Sequence, residues 1–485
     1  MNIREQAVGM DRSEDTIAAI ATAMSEAGIG IIRISGPEAA RIGSDLYRSP
    51  KALREGRREE IGAWTPGTIR FGYILDENGE VIDDVMLSWM KAPHSYTTRD
   101  TVEINTHGGL FVMQRVLELV LSRGARLAEP GEFTKQAFLG GRIDLARAEA
   151  VMDLISAQSE FARKTSMSQL RGALSEKVRD LRAEILYELA YIESALDDPE
   201  NYSLDGYPER LDAILERQTA ALGDLLRGAR DGRILQEGIR TVILGRPNAG
   251  KSSLLNRLAG EERAIVTEIP GTTRDILRER IRLGDLVLLL TDTAGIRSTG
   301  DVIEEIGVQR ARKAAEEADL LLWILDAAQP LTEEDHEIAG MIRDKMQEGI
   351  RCIALMNKQD LEVRLTKEQI LAMPELSECA PVVLSCSART GEGIDALQEA
   401  IRDQLHADRI FMNSEVLLTG IRHREAAQEA LTALQLVRGS IAAGVSEDFY
   451  TIDLMNAYKA LGRILGEDVE DDLVEEIFSK FCMGK

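Results

Sequence analysis

The chain of 485 residues has few cysteines and no long apolar run. Its four cysteines, Cys352, Cys379, Cys386 and Cys482, lack the spacing of metal ligands or of a disulfide framework, so we expect neither. No run of about 18 apolar residues occurs, which predicts that no segment spans a membrane. The stretch Met1–Ser13 is polar and lacks the apolar core of a signal peptide. These absences together predict a cytoplasmic protein of the bacterial type.

The chain also has fewer basic than acidic residues. The chain has 58 Lys and Arg against 82 Asp and Glu, which gives a formal net charge of −24 at pH 7. Proteins that hold nucleic acid on their own neutralise its phosphates with clustered cations. The charge balance therefore argues against strong binding of a nucleic acid by this chain alone. It indicates a soluble protein, and it predicts that a partner brings any positive surface that such a ligand needs.

The most informative segment is a phosphate-binding loop, which spans Gly245–Ser253 and reads GRPNAGKSS. An aliphatic run at 239–244 precedes it and a helical pattern follows from Leu254, which is the strand–loop–helix context that this motif requires. Its glycines let backbone N–H groups surround phosphates, Lys251 reaches the β- and γ-phosphates, and Ser252 offers a hydroxyl to Mg²⁺. The start of the helix adds the positive end of its dipole.

Three more segments follow in the order found in GTPases. Asp292–Gly295 reads DTAG and closes an apolar strand, so that its aspartate can hold the Mg²⁺ shell and its glycine N–H can meet the γ-phosphate. Asn357–Asp360 reads NKQD, and Asp360 can accept two N–H bonds from a guanine edge that adenine does not offer. Ser387–Arg389 follows a third strand and would complete the base pocket. An ATPase has no use for the NKQD segment, which therefore predicts GTP as the ligand.

A switch segment lies between the phosphate-binding loop and DTAG. It spans Gly271–Asp275, and its Thr273 can bind Mg²⁺. The complete order of segments resembles the translation-factor-like class of GTPases. A scaffold with an inactive GTP site would not need this intact set of phosphate and Mg²⁺ ligands, so that interpretation is disfavoured.

The residue that commonly orients the attacking water is missing. Many GTPases carry a glutamine directly after the DxxG glycine, whereas this chain has Ile296 there, and an apolar side chain cannot orient water. Glu304 and Glu305, which follow in a polar stretch, are the candidates for that role. The alternative is that both are solvated acids in the first turn of a helix, where they favour its dipole.

An arginine finger is not evident either. Arg274 and Arg297 lie nearby in sequence, but arginines of switch segments are usually solvated. A monovalent cation could supply the missing charge, and Asn248 of the phosphate-binding loop has a carbonyl oxygen suited to it. The alternative is that Asn248 only caps the turn of the loop.

The remainder of the chain resembles the tRNA modification GTPase family MnmE, also called TrmE. The matching segments run from about Asp15 to Lys485, and other GTPases share only the central block. These segments are Asp15–Ala23, Gly30–Gly36, Thr106–Gly109, Pro130–Thr134, Ala137–Leu139, Arg142–Ala150 and the C-terminal Phe481–Lys485, which is close to the family's Cys-x-Gly-Lys.

This resemblance implies a homodimer that works with an FAD-containing protein, MnmG, in a heterotetramer or a larger complex. The pair would modify C5 of the wobble uridine of certain tRNAs by adding an aminomethyl or carboxymethylaminomethyl group. A one-carbon tetrahydrofolate derivative, 5-formyl or methylene, would supply the carbon. The tRNA would be held largely by the partner, in agreement with the acidic composition of this chain.

The resemblance also assigns residues around the nucleotide. Glu304 matches the family's water-orienting glutamate, and Asn248 matches its potassium ligand. Thr267, Ile269 and Thr272 match the loop that surrounds that K⁺ ion. The cation would take the place of an arginine finger, and its site would be complete only when two GTPase domains meet. Motifs and resemblance together predict these GTP-binding residues: Asn248, Ala249, Gly250, Lys251, Ser252, Ser253, Thr267, Thr272, Thr273, Asp292, Thr293, Ala294, Gly295, Asn357, Lys358, Asp360, Ser387, Ala388 and Arg389.

A folate site is implied at four residues that match the family: Arg33, Glu103, Arg142 and Lys485. The glutamate could pair with the edge of a pterin, and the cations could meet the glutamate tail of the folate. Without the resemblance, each would be interpreted as part of a surface ion pair. Cys482 matches a cysteine that the family places near the modification chemistry, and the alternative is a small buried apolar residue.

The pattern along the chain predicts a multidomain protein with α/β and all-α parts. Residues 1–140 contain β-rich runs and are expected to form a mixed α/β domain, which the resemblance assigns to folate binding and dimerisation. Residues 141–237 and 406–485 show helical periodicity and are interpreted as one helical domain split in sequence. Residues 238–405 alternate strands with helices, which predicts a P-loop GTPase domain inserted into that helical domain.

A ribosome-assembly or signalling GTPase of the Era or Der type, a switch without modification chemistry, is the alternative function. Those relatives carry RNA-binding appendages such as KH domains, and no Gly-x-x-Gly segment in a basic context follows the GTPase block here. The long N-terminal region and the terminal Cys-x-Gly-Lys pattern also argue against it.

Overall fold

The computed structural model describes residues 15–261, 278–284, 286–291, 316, 318–404, 416–467, 469, 471–482 and 484. These residues belong to two compact units. The first unit groups Met1–Met152, Gln169–Glu216 and Glu429–Lys485, and the second groups Asp153–Ser168 and Arg217–Gln428. No helix among the described residues is both long and apolar enough to cross a membrane.

A seven-stranded sheet forms the N-terminal part of the first unit. Its strands lie in the order β3-β4-β5-β6-β2-β1-β7. All neighbours are antiparallel except β1 and β7, which are parallel. The strands are β1 (Ile17–Ile20), β2 (Ala27–Ser35), β3 (Tyr47–Arg48), β4 (Thr68–Leu75), β5 (Val81–Met90), β6 (Thr101–Gly108) and β7 (Arg126–Leu127).

One face of this sheet carries the core. Ile32 and Ile34 of β2 and Ile104 of β6 are fully buried and pack in the same cluster. Because successive side chains of a strand point to opposite faces, Arg33 and Glu103, which stand next to these residues in sequence, lie on the other face. The alternation therefore places Arg33 and Glu103 on the face of the sheet opposite the apolar core.

Two helices cover the buried face, α1 (Ala39–Leu46) and α3 (Leu110–Ser122), whereas the short α2 (Pro50–Glu55) follows β3. The sequence of α3 explains its orientation, because apolar residues at three- and four-residue spacing form one face of a helix. That face is buried in the sheet core and consists of Met113, Val116, Leu119 and Val120.

The chain then becomes helical. The helices are α4 (Glu132–Leu139), α5 (Leu145–Ser156), α6 (Glu160–Arg171), α7 (Ala173–Asp197) and α8 (Tyr207–Glu237). The long α7 has a buried stripe at three- and four-residue spacing, which is typical of a helix that packs along others. The stripe includes Val178, Leu181, Ile185, Leu189 and Ile192.

A six-stranded sheet with the order β13-β12-β11-β8-β10-β9 forms the centre of the second unit. Its neighbours are parallel except for β9 and β10, which are antiparallel. The strands are β8 (Ile239–Leu244), β9 (Arg278–Leu283), β10 (Leu286–Thr291), β11 (Leu320–Asp326), β12 (Arg351–Asn357) and β13 (Val382–Ser385). The helices are α9 (Lys251–Glu261), α10 (Glu333–Gln347), α11 (Lys367–Leu371) and α12 (Ile394–Gln404).

The sheet of the second unit is buried on both faces. In β11, Leu320, Leu322 and Ile324 join a core with residues of α9 and α12. The alternate residues Leu321 and Trp323 join a second core with residues of α10. A parallel sheet covered by helices on both sides reads as a continuous apolar run, which is how β11 reads in the sequence.

The C-terminal part of the chain returns to helices, α13 (Ile421–Ala442), α14 (Tyr450–Leu465) and α15 (Asp471–Ser479). α14 packs against α7 in the first unit. Between them, Arg182 lies 4.1 Å from the ring centroid of Tyr458, and its Nη1 lies 2.6 Å from Oε2 of Glu467. The guanidinium is thus paired although its side chain is only 7% exposed, as a buried charge requires.

These elements confirm the predicted fold class, which combines an N-terminal mixed α/β part, helices and a P-loop GTPase α/β sheet. The chain changes from helix to strand between Glu237 and Ile239. The limits of the four segments, 1–140, 141–237, 238–405 and 406–485, stay predictions.

The core of the second unit can be tested with Leu322→Ala. We expect a loss of about 2–5 kcal/mol in the free energy of unfolding, because buried methyl groups are removed and a cavity remains. Urea denaturation followed by circular dichroism would measure the transition of this unit. Leu361→Ala is the control, since its side chain is 48% exposed, and it should change stability by less than about 0.5 kcal/mol. Equal losses in both variants would contradict the described packing.

Candidate functional site

The loop between β8 and α9 has the backbone of an anion-binding turn. Gly245 and Gly250 have φ angles of +145° and +103°, and a Cβ at Gly250 would collide with the side chain of Asn357. Asn248 also has a positive φ, 62°, which asparagine tolerates better than most residues. Left-handed residues within a turn are typical of backbone concavities that bind phosphate.

Lys251 begins α9, and its ammonium group folds back over the loop. Nζ donates hydrogen bonds to the carbonyl oxygens of Gly245 at 2.6 Å and Arg246 at 2.9 Å. Burial lowers the pKa of Lys251, and a bound phosphate would favour its charged form again. Ser252 and Ser253 are exposed in the first turn of the helix, so their hydroxyls are open to a ligand.

The amide of Asn357 connects the phosphate-binding loop with the loop after β13. Its Nδ2 donates to the carbonyl oxygen of Ala249, and its Oδ1 accepts from the backbone N–H of Ala388, both at 2.9 Å. The residue is 2% exposed. The two loops meet here because the carboxyl ends of parallel strands share one edge of the sheet.

Asp360 supplies the acceptor for a guanine base. Its Oδ1 accepts a hydrogen bond from the Ser387 hydroxyl at 2.7 Å, and this bond lowers the pKa of Asp360. Nη1 of Arg389 lies 3.6 Å from its Oδ2. The carboxylate therefore stays ionised at neutral pH, where each oxygen can accept more than one N–H bond.

Two residues of this pocket were not predicted from the sequence. Asp326, at the end of β11, accepts a hydrogen bond from Nζ of Lys358 at 2.7 Å. Arg257 of α9 donates to the carbonyl oxygen of Ala388 at 3.2 Å. The rule that ligands bind at the carboxyl ends of parallel strands could have found Asp326, whereas nothing in the sequence marks Arg257.

A second cluster lies on the outer face of the N-terminal sheet. Arg33 of β2 and Glu103 of β6 are direct cross-strand neighbours, and Nε lies 2.8 Å from Oε1. Their side chains are 16% and 22% exposed. The Arg33 guanidinium also lies 5.6 Å from the ring centroid of Tyr96 and 5.4 Å from that of Phe133. Aromatic faces at such distances attract a cation.

Arg142 joins the same cluster through Tyr96. Its guanidinium lies 4.9 Å from the Tyr96 centroid, and its Nη1 donates to the Tyr96 carbonyl oxygen at 2.9 Å. Neither Tyr96 nor Phe133 was predicted as a site residue. Phe133 lies in a segment that carries the resemblance, whereas nothing in the sequence marks Tyr96. We call Arg33, Tyr96, Glu103, Phe133 and Arg142 the aromatic–arginine cluster.

The C-terminal segment reaches this cluster. The carbonyl oxygen of Gly484 accepts a hydrogen bond from Nη1 of Arg33 at 3.2 Å. The carbonyl oxygen of Cys482 accepts one from the N–H of Gly131 at 3.5 Å. Cys482 is exposed, so the alternative of a buried apolar cysteine is wrong. The structure thus brings Arg33 together with Glu103 and Arg142, two of its three predicted companions, and with Gly484 of the C-terminal motif.

Some predicted site residues lie outside the described part of the chain, and their roles stay predictions. They are Thr267, Ile269, Thr272, Thr273, Asp292, Thr293, Ala294, Gly295, Glu304 and Lys485.

The fold and the nucleotide pocket define a P-loop GTPase of the guanine-specific kind. Two family models match the chain: the GTP-binding protein TrmE N-terminus over residues 16–142 and the MnmE helical domain over residues 145–482. The chain belongs to the MnmE family of tRNA modification GTPases, and it is a GTP-hydrolysing enzyme of tRNA modification.

Full-length relatives support this assignment. The tRNA modification GTPase MnmE of Lachnoclostridium phytofermentans is 48% identical over 471 residues, which cover 97% of this chain and 99% of that protein. The MnmE proteins of Geobacillus kaustophilus and Bacillus subtilis are 44% and 43% identical over 475 residues, again 97% of this chain, and 99% and 100% of those proteins.

The guanine pocket can be tested with Asp360→Asn. We expect GTP affinity to fall about 10- to 100-fold, because one acceptor oxygen becomes a donor amide and a hydrogen bond to a charged group is lost. Xanthosine triphosphate should bind better than it does to the wild type, since its base offers a carbonyl to the new amide. Titration with fluorescent nucleotide analogues would measure both affinities.

Glu362→Gln is the matched control for this substitution, because it neutralises a nearby carboxylate whose side chain is 86% exposed. It should leave both affinities within about twofold of the wild type, as for most surface changes. An unchanged GTP affinity in Asp360→Asn would show that another residue reads the base.

Proposed function

We propose that this chain is a potassium-activated GTPase of the cytoplasm that acts with the flavoprotein MnmG. The pair modifies C5 of the wobble uridine of certain tRNAs, adding an aminomethyl or carboxymethylaminomethyl group with carbon from a one-carbon tetrahydrofolate. The aromatic–arginine cluster is the observation that carries this proposal. The cluster lies in the first unit, whereas the phosphate-binding loop lies in the second. A GTPase switch of the Era or Der type would have no use for such a group of arginines, a carboxylate and aromatic rings outside its nucleotide-binding unit.

The nucleotide site supports the first step, GTP hydrolysis. Lys251 would bind the β- and γ-phosphates, and Asp360 would hold the guanine. Ser252 and Thr273 would hold Mg²⁺, which supplies positive charge at the phosphates. Glu304 would orient the attacking water, the task that Ile296 cannot perform.

Asn248 fits the proposed potassium site. It is exposed and its backbone is left-handed at the turn of the loop, so its amide oxygen is open to a cation from outside. Thr267, Ile269 and Thr272 would complete the ligand set. K⁺ held there supplies the charge that an arginine finger supplies in other GTPases.

The cluster of the first unit suits a folate. Glu103 could accept from the pterin edge, the Tyr96 ring offers an apolar face, and Arg142 is exposed and could pair with a carboxylate of the glutamate tail. Lys485 would add a second cation to this tail. The exposed thiol of Cys482 would then act on the one-carbon group or the uridine beside the same cluster.

The outer face of the N-terminal sheet supports a homodimer. Ile69, Phe71 and Met86 are 58%, 45% and 42% exposed, and Phe71 and Met86 are cross-strand neighbours. A row of apolar side chains on an open sheet face favours contact with another protein surface. MnmG would bring the positive surface for tRNA that a chain of net charge −24 lacks.

The role of Asn248 predicts faster GTP hydrolysis in KCl than in NaCl at equal ionic strength. We expect a difference of about tenfold or more for the wild type, because the oxygen ligands proposed around Asn248 would replace the hydration shell of K⁺ and not that of the smaller Na⁺. Asn248→Ala should lose most of the difference. Asn256→Ala, which changes an exposed asparagine of α9, should keep it. Equal rates of hydrolysis in KCl and NaCl for the wild type would show that K⁺ does not activate this GTPase through Asn248.

Glu304→Ala should lower kcat of GTP hydrolysis at least about 100-fold with little change in GTP affinity, because a water-orienting group acts mainly in the transition state. A host that lacks the wild-type gene and carries this variant should lack C5-aminomethyl-type uridines in nucleoside mass spectrometry of bulk tRNA. Complementation with wild type should restore them. If Glu305→Ala loses hydrolysis and Glu304→Ala does not, the water-orienting role belongs to Glu305.

The same nucleoside measurement tests the modification itself. A host without the gene should lose these uridines, and an unchanged profile would leave a GTPase switch of the alternative kind. Purified protein should bind 5-formyltetrahydrofolate, and Arg142→Ala should weaken that binding. Arg402→Ala removes a cation from α12 in the other unit and should leave it unchanged.

A further inference from the structure

The C-terminal tail, whose described residues are Phe481, Cys482 and Gly484, is fixed to the N-terminal part of the first unit. Phe481 is 6% exposed and packs with Phe478 and Leu145. Beyond it, the backbone of Cys482 is bonded to Gly131 at the start of α4. Phe481 and Cys482 are therefore both held against the rest of the first unit.

Gly484 shows how close this path is to the sheet. Its φ is +86°, a conformation that favours glycine, and a Cβ would lie 2.7 Å from Cα of Ala21 and would collide with the carbonyl oxygen of Ile20. Neither of these atoms belongs to a side chain that could rotate away. The tail thus lies directly against the end of β1, and only a residue without a side chain fits there.

Gly131 makes a matching contact on the other side of the tail. Its φ is +70°, and a Cβ would lie 2.6 Å from the carbonyl oxygen of Phe478 and 2.9 Å from Cβ of Phe481. α4 and α15 are also joined by Lys135 and Glu475, whose Nζ and Oε1 lie 3.4 Å apart. The tail is therefore held by backbone contacts at two places, between Gly484 and the end of β1 and between Cys482 and Gly131.

Arg33 connects the tail to the aromatic–arginine cluster. Its Nε donates to Glu103 and its Nη1 donates to the Gly484 carbonyl oxygen. The rings of Tyr96 and Phe133 flank the guanidinium. Two of its three nitrogens are thus engaged by the protein itself, and the planar fork holds both partners in one geometry.

We propose that Arg33 is a positioning residue that holds the tail in place and thereby presents Cys482 at the folate site, with Gly484 as the residue that permits this contact. Cys482 lies two residues from Gly484, a span of at most about 7 Å. Arg142, rather than Arg33, is the cation that meets a carboxylate of the ligand. This inference rests on the proposed function for the meaning of the site, whereas the docking of the tail stands on its own contacts.

The docking is tested without any ligand by hydrogen exchange and mass spectrometry of the full chain. Arg33→Lys keeps the charge but cannot make both bonds of the fork, and Gly484→Ala brings a methyl group against β1. In both variants, exchange of the C-terminal peptide and of the Gly131 amide should become at least tenfold faster.

Gly79→Ala is the matched control. Gly79 has a φ of +83°, close to that of Gly484, but nothing lies within 4 Å of a Cβ there. An alanine at position 79 would thus have a backbone strain similar to that of an alanine at position 484, but it would contact no neighbouring atom. Hydrogen exchange of the tail in Gly79→Ala should therefore stay as in the wild type. Equal exchange in all four proteins, wild type included, would overturn the docking of the tail.

The positioning role is tested by the rates of tRNA modification with MnmG and by binding of 5-formyltetrahydrofolate. Gly484→Ala should lower the modification rate at least tenfold, while GTP hydrolysis and the Kd for the folate stay within about twofold. The double variant Arg33→Lys with Gly484→Ala should modify no more slowly than the slower single variant, because both substitutions release the same tail and such effects do not add.

Two results separate this inference from its alternatives. If Arg33→Lys weakens folate binding while the tail exchanges as in the wild type, Arg33 is a direct ligand and the positioning role is overturned. If the wild type binds no folate and modifies no tRNA, the proposed function fails, and the exchange measurement still decides whether Arg33 and Gly484 hold the tail.

Discussion

The arrangement of the nucleotide site depends on one buried side chain, the amide of Asn357. It donates to the carbonyl oxygen of Ala249 and accepts from the N–H of Ala388. A buried polar group that loses its partner costs about 1–3 kcal/mol, so an apolar residue at this position would leave both loops with an unpaired group. One side chain thereby holds together the loop for the phosphates and the loop of the base pocket. Asp360 follows three residues later, in the loop that begins at the end of β12.

The first unit depends on a comparable constraint around a charged group. Arg33 is mostly withdrawn from water, and such a cation has to be paired and hydrogen-bonded. Glu103 and the carbonyl oxygen of Gly484 satisfy it, and two aromatic rings flank it. In a chain with a net charge of −24, this arrangement places two guanidinium groups, those of Arg33 and Arg142, 5.6 Å and 4.9 Å from the centroid of one aromatic ring, Tyr96. Arg142 is exposed, so it is the cation of the cluster that is open to an anion.

Much of the nucleotide site could be predicted because its motifs are local. Lys251 begins a helix directly after a glycine turn, and Asp360 and Ser387 follow strand ends, so their placement needs only short spacings and a parallel sheet. The contact between Lys358, which follows β12, and Asp326, which ends β11, joins residues 32 positions apart, and no short sequence spacing predicts it. The same holds for the rings of the aromatic–arginine cluster. Their importance comes from which residues surround them, a property of the packed unit.

The sequence by itself determined the residue types of the motifs, their order, the acidic balance and the alternation of strands and helices, because these depend on composition and short periodicities. Only the tertiary structure decided which distant residues meet. Arg33 stands opposite Glu103 because of the order and register of β2 and β6, and a shift of one residue would turn one of them to the other face. The bond between Arg33 and Gly484 joins residues 451 positions apart. Such a contact is set by the packing of a whole unit, which no short segment encodes.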